Sequence, residues 1–60
     1  MNKTAKKLQK SGFRLVTMSV ENGEKVFYMT RSHSRECRYD AEVRGETING
    51  LTLKDFLDTL

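Results

Sequence analysis

The chain has one cysteine, one histidine and no long hydrophobic run among its 60 residues, and each shortage excludes a class of protein. A lone cysteine, Cys37, cannot form an internal disulfide, and without a Cys/His cluster we expect no tetrahedral metal site. No apolar stretch has the length of a signal peptide or a membrane span. We therefore predict a cytoplasmic protein with no membrane partner, no metal and no cofactor.

The small number of residues is itself a constraint. A chain of 60 residues forms one domain, predicted to span 1–60, and buries only about 60% of the surface that its unfolded form exposes. Domains of this size often depend on a disulfide, a metal, a partner or a second copy. Because the first two are excluded, we expect either a binding partner or a homodimer.

The net charge of +3 conceals an uneven distribution along the chain. Residues 1–38 contain nine Lys/Arg and three Asp/Glu, whereas residues 39–60 contain two Lys/Arg and five Asp/Glu. If the two parts occupy different surfaces, the molecule has one basic end. Such an end attracts acidic partners, either nucleic acid or acidic protein.

An amphipathic helix is predicted for residues 3–11. Its apolar side contains Ala5 and Leu8, and Gly12 supplies the stop. Its opposite side forms a lysine stripe, which consists of Lys3, Lys6, Lys7 and Lys10. The stripe either contacts nucleic-acid phosphates or is an ordinary solvated face.

Two strands, 13–20 and 25–31, are predicted around Asn22-Gly23, a strong hairpin signal because both residues tolerate positive φ. A two-residue turn there places Met18 opposite Phe27 and Val16 opposite Met29. One face then contains the apolar residues Val16, Met18, Val20, Phe27 and Met29. In this register Phe13 and Leu15 belong to the other face.

Period-2 alternation predicts a third strand over 37–44, and a closing helix is predicted at 53–59 with Thr52 as its N-cap. The predicted fold is α+β, a three-stranded antiparallel meander with the N-terminal and C-terminal helices packed on one face (α-β-β-β-α). The predicted core consists of Leu8, Val16, Met18, Phe27, Met29, Tyr39, Ala41, Val43, Phe56 and Leu57.

Few side chains suggest catalysis. His33 is either a general base or an exposed loop residue, but no neighbouring residue is a distinctive nucleophile or acid. Cys37 is expected to act as a small hydrophobic residue. Tyr28 either packs across strands or stacks on a ligand. A second basic patch follows the hairpin and consists of Arg31, Arg35 and Arg38.

Residues 7–16, KLQKSGFRLV, close the first helix and enter the first strand, and residues 50–53, GLTL, begin the last helix. In this order the chain resembles small domains with the double-stranded-RNA-binding topology, and among them the HicA-type mRNA interferase toxins. The resemblance implies an α-β-β-β-α fold. That family's catalytic histidine belongs near the start of the second strand, where this sequence has Glu24-Lys25-Val26. We therefore predict that the chain is not an enzyme.

The sequence favours a small non-enzymatic binding module of the kind carried by phages and mobile elements. Its expected role is to engage or inhibit a host protein. The alternative is a nucleic-acid-binding protein, for RNA or DNA, that uses the lysine stripe and the Arg31–Arg38 region. The same basic residues would meet an acidic partner in either case.

Overall fold

The computed structural model describes residues 1–31 and 39–60. Its elements are α1 (Lys3–Lys10), β1 (Arg14–Glu21), β2 (Glu24–Thr30), β3 (Ala41–Arg44), β4 (Thr47–Ile48), β5 (Leu51–Thr52) and α2 (Leu53–Asp58). The strands form one antiparallel sheet in the order β1-β2-β3-β4-β5. The α+β class is confirmed. The expected number of three strands was wrong, because two short strands continue the sheet after β3.

Local hydrogen bonds define both ends of α1. Asn2 is the N-cap, since its Oδ1 accepts a hydrogen bond from the Ala5 N–H at 2.8 Å. Gly12 adopts φ +99°, which lets the Phe13 N–H donate to the Leu8 carbonyl at 3.1 Å. This pattern ends the helix at the glycine that the sequence indicates.

The cap of α2 is also as predicted. Thr52 Oγ1 accepts a hydrogen bond from the Asp55 N–H at 3.2 Å. Asp55 lies in the first turn, where a carboxylate is favoured by the partial positive charge of the helix N-terminus. The helix is short, and its buried residue is Phe56.

The β1–β2 hairpin has the predicted turn, with φ +53° at Asn22 and +78° at Gly23. Near the turn the register is also as predicted, because Met18 lies opposite Phe27. Directly opposite residues in an antiparallel pair point to the same side of the sheet. The Met18 side of β1 is therefore the side on which Phe27 joins the core.

Farther from the turn, the predicted register was wrong. It shifts between Leu15 and Thr17, so that Leu15 rather than Val16 lies opposite Met29. An extra residue in one strand of a pair is a β-bulge, and it exchanges the faces of the residues beyond it. For this reason Leu15 points to the core side and Phe13 is buried, although alternation assigned both to the other face.

Strand β3 is shorter than the predicted 37–44. It begins at Ala41, while Tyr39 and Asp40 precede it, and residues 37–38 lie outside the described part of the chain. The Asn49 side chain extends the contact between β3 and β4. Its Oδ1 accepts from the Glu42 N–H at 2.8 Å, and its Nδ2 donates to the Asp40 carbonyl at 3.0 Å.

A single core cluster draws on both helices and on β2, β3 and β4. It consists of Ala5, Leu8, Phe13, Phe27, Met29, Ala41, Val43, Ile48 and Phe56. Within this cluster the rings of Phe13 and Phe56 pack against each other, with centroids 5.8 Å apart and a tilted arrangement favourable for aromatic pairs.

Most of the predicted core is buried, with clear exceptions. Val16 and Leu57 are half-buried, whereas Met18 and Tyr39 are 46% and 53% exposed, so these last two predictions were wrong. Met18 lies on an edge strand that lacks a neighbour on one side among the described residues. Tyr39 lies before β3 and outside the core cluster.

Candidate functional site

Strand β1 carries three exposed apolar side chains on the core side of the sheet. We call Leu15, Met18 and Val20 the β1 apolar row; they are 42%, 46% and 60% exposed. Each lies opposite a residue of β2, which fixes its side: Leu15 faces Met29 and Met18 faces Phe27. Burial of the β2 residues and exposure of the β1 apolar row show that the core ends between the two strands.

The outer edge of the stretch Thr17–Glu21 of β1 has no neighbouring strand among the described residues. Strand β1 is the first strand of the sheet, and within residues 1–31 and 39–60 it pairs with β2 alone. An edge strand presents unpaired N–H and C=O groups, which another strand can join. Proteins usually protect such edges with charges, proline or bulges. Here a bulge interrupts β1 near Leu15, but the following stretch, Thr17–Glu21, is regular.

The lysine stripe of α1 is fully presented to solvent. Lys3, Lys6, Lys7 and Lys10 are all exposed, while Ala5 and Leu8 on the opposite side are completely buried. No acidic residue lies in the first turn of α1. Among the described residues, the ion pairs that the structure shows belong to Arg44, so none involves the stripe.

The predicted Arg31–Arg38 patch is placed only in part. Arg31 is exposed, and its guanidinium carbon lies 5.8 Å from the centre of the Phe13 ring, a cation–π geometry. Arg31 therefore shields a core aromatic ring, a role that sequence patterning did not reveal. Arg35 and Arg38 lie outside the described residues.

The side of the sheet opposite the core cluster carries both aromatic and charged groups. Tyr28 packs on Tyr39, with ring centroids 4.5 Å apart, so the packing interpretation of Tyr28 is the one that the structure shows. Arg44 Nη2 lies 2.7 Å from Glu21 Oε2 and 3.4 Å from Glu42 Oε1. Desolvation lowers the pKa of Arg44, but the two carboxylates outweigh it and hold the pKa above its ordinary value. Carboxylates on this side make it a poor platform for phosphates.

An open groove of about 450 Å³ lies between the start of α1 and the two turns beside it. It is lined by Met1, Asn2, Gly23, Glu24, Lys25, Phe27 and Gly45. Among the described residues that line it, Glu24 is the one carboxylate, and none is a histidine, cysteine or serine. No group of three or more His, Cys, Asp or Glu in the described ranges is arranged to hold a metal. His33 and Cys37 lie outside those ranges.

Comparisons with known proteins give no relative: no family model matches the chain, and neither a curated protein nor a solved structure is significantly similar to it. None of the helices in the described ranges is long and apolar enough to cross a membrane. The surfaces described above are therefore the basis for a functional proposal.

Proposed function

We propose that this chain is a small non-enzymatic binding module that engages a host protein through strand β1. The observation that carries the proposal is that the β1 apolar row lies on a strand edge that no other described strand covers. Both features lie on the same eight-residue strand. An extended segment of another protein can pair with this edge and cover the exposed side chains.

Strand addition explains how so small a surface binds. Backbone hydrogen bonds along the edge supply affinity, and pockets for alternate side chains supply specificity. On β1, Met18 and Val20 lie two residues apart and face the same side, as a partner strand of matching alternation requires. Removing such side chains from water contributes roughly 25 cal/mol per Å² of apolar surface.

The proposal also covers the placement of the two helices and the cellular compartment in which the protein acts. One core cluster draws on Leu8 of α1, Phe56 of α2 and the core side of β2 and β3, which supports two helices sharing one side of the sheet as in the HicA-type and double-stranded-RNA-binding-like domains. We further propose that the chain is a module of the kind carried by phages and mobile elements and that it inhibits the host protein it engages. We expect the module to act in the cytoplasm, where a lone thiol such as that of Cys37 stays reduced.

Site-specific cross-linking tests the proposed contact. A photoreactive amino acid is placed at Met18 on β1 and, as a matched control, at Leu51, an exposed apolar residue of β5 at the other edge of the sheet. In nuclease-treated host lysate, position 18 should cross-link to one extended segment of a single protein. That protein, once purified, should bind the native chain and the Leu51→Lys variant alike.

The Met18→Lys variant should bind the same protein at least tenfold more weakly, because a charged side chain would enter the apolar contact. Met18 is 46% exposed, so this substitution is compatible with folding, which circular dichroism can verify. Equal cross-linking from positions 18 and 51, or equal affinity of both lysine variants, would contradict the assignment to β1.

Nucleic-acid binding is the second candidate, and the exposed lysine stripe is the observation in its favour. If the stripe contacts phosphates, the logarithm of affinity falls linearly with the logarithm of salt, with a slope of about −0.7 to −0.9 per contact. The Lys6→Gln, Lys10→Gln double variant would then have a shallower slope, reduced by the contribution of nearly two contacts. The protein-binding proposal instead predicts no RNA or DNA affinity better than about micromolar at ~0.15 M salt.

A sub-micromolar complex with RNA or DNA at that salt concentration, lost in the double variant, would reverse the order of the two candidates. The variant should fold normally, because the substituted side chains lie on the exposed side of α1, away from Ala5 and Leu8. The salt titration of this variant therefore measures what the two lysines contribute to nucleic-acid affinity, with the core unchanged.

A further inference from the structure

We infer that a second copy of this chain pairs with strand β1, antiparallel and about a two-fold axis at Ser19. The inference rests on the proposed function in one respect, since it uses the same edge. It adds what occupies that edge when no other partner is present. The resulting sheet would run continuously through both molecules.

The register follows from where β1 is regular. The bulge between Leu15 and Thr17 ends regular pairing on one side, and the Asn22-Gly23 turn ends it on the other. The regular stretch is therefore the five residues Thr17–Glu21, with Ser19 at its centre. An axis at Ser19 pairs all five with the second copy, whereas any other axis leaves some of them unpaired.

This register also matches the two faces. It places Met18 of one copy opposite Val20 of the other, and both residues point to the core side. Thr17 comes to lie opposite Glu21, both on the side facing away from the core cluster. Directly opposite side chains in an antiparallel pair are in contact, so the apolar residues meet apolar residues. No two like charges are opposed.

The Glu21–Arg44 ion pair lies at one end of the contact, because Glu21 is the last residue of the regular stretch. Glu21 already has a cationic partner at 2.7 Å, so its carboxylate does not enter the interface unpaired. In the second copy it faces a hydroxyl, that of Thr17, which can donate a hydrogen bond.

The geometry predicts a closed and weak dimer. A two-fold axis uses the same surface on both copies, so the assembly ends at two. The opposite edge of the sheet, β5, is only two residues long and offers little for further growth. Five residue pairs bury far less than the ~1,600 Å² of a standard interface, so we expect dissociation constants of roughly 10–500 µM.

Sedimentation analysis tests the dimer. The native chain, measured from about 10 to about 1,000 µM, should change from monomer to dimer as mass action requires. The Met18→Lys variant should remain a monomer over this range, because two lysines would enter the apolar centre of the contact. The Leu51→Lys variant, altered at the other edge of the sheet, should dimerise like the native chain.

Disulfide trapping tests the register. In a Cys37→Ser background, the Ser19→Cys variant should oxidise to a covalent dimer, because the two Cys side chains face each other across the axis. In the same background, Thr17→Cys should cross-link at least tenfold more slowly. The two substituted residues lie on opposite sides of the axis, each two residues away from it, so their side chains are not opposite each other.

A native chain that stays monomeric throughout, a Met18→Lys variant that still dimerises, or equal trapping at positions 17 and 19 would overturn the inference. These outcomes are separate from the test of the proposed function. A native chain that stays monomeric contradicts only the dimer, because cross-linking from position 18 to a foreign protein does not require self-association, whereas a dimer with no foreign partner would contradict only the proposed function.

Discussion

Strands β1 and β2 belong to one hairpin and have similar apolar content, but they differ completely in burial. In β1 no residue is buried. In β2, Val26, Phe27 and Met29 are at most 4% exposed. β2 lies between two neighbouring strands and joins the core cluster, whereas β1 has a neighbour on one side among the described residues.

The comparison shows that composition does not decide which strand of a hairpin is buried. Met18 and Phe27 face each other across the same pair, yet Met18 is 46% exposed and Phe27 only 4%. A side chain on a central strand is covered from both sides and from above. A side chain on the edge loses one of these neighbours, and the surface that remains is available for binding.

The largest expected effect is at the centre of the molecule. Phe56→Ala should reduce the free energy of unfolding by about 3–5 kcal/mol, because it leaves a cavity beside Phe13. A domain of this size has a total stability of only several kcal/mol, so the variant should be largely unfolded. Thermal unfolding followed by circular dichroism measures this. A cooperative transition close to that of the native chain would show that Phe56 does not anchor the core.

A matched methionine pair sharpens the contrast between the strands. Met29→Ala should cost about 2–5 kcal/mol, because Met29 is fully buried in β2. Met18→Ala, on β1, should cost about 0.5 kcal/mol or less. Urea denaturation measures both losses of unfolding free energy, at protein concentrations too low for self-association. Similar costs at the two positions would mean that β1 is part of the core after all.

The two asparagines of the turns, Asn22 and Asn49, are expected to differ by an intermediate amount in their contribution to the free energy of unfolding. Asn22 and Asn49 both have φ +53°, so alanine causes similar backbone strain at each. Only the Asn49 side chain has hydrogen bonds to the described residues, one to Glu42 and one to Asp40. Asn49→Ala should therefore cost about 1–2 kcal/mol more than Asn22→Ala. Equal losses in urea denaturation would show that these bonds add nothing to the attachment of β4.

The smallest effect is expected at the ion pair that connects β1 to β3. The side chains of Arg44 and Glu21 are 40% and 44% exposed, and exposed pairs contribute little. Arg44→Ala should change stability by at most about 1 kcal/mol, and the difference should shrink in 1 M salt, where the Debye length is about 3 Å. A larger loss that persists at high salt would indicate that Arg44 acts through packing.

Much of the fold was predictable from short-range patterns. The caps of α1 and α2, the Asn22-Gly23 turn and the register next to it depend on residues close together in the chain. The bulge in β1 was not predictable, because alternation alone cannot show where an extra residue interrupts a strand pair. As a result, Phe13 was assigned to the wrong side of the sheet.

The candidate site was predictable to a lesser extent. Exposure of the lysine stripe follows from helical periodicity, and it is present as predicted. Met18 of the β1 apolar row was instead interpreted as core, because its place in the alternation of β1 is the same as that of a core residue on a central strand. An edge strand and a central strand can have the same sequence pattern, since period-2 alternation records only that one face is apolar.

The sequence by itself determined the helices, the hairpin turn and the charge distribution of this protein, because each depends on residues within a few positions of one another. The tertiary structure alone decided that β4 and β5 extend the sheet beyond β3 and that the core leaves the β1 apolar row exposed. It also decided the burial of Phe13 and the hydrogen bonds of the Asn49 side chain to the backbone of Asp40 and Glu42. These features depend on which segments become neighbours in space, and strands with similar patterns compete for the same central position.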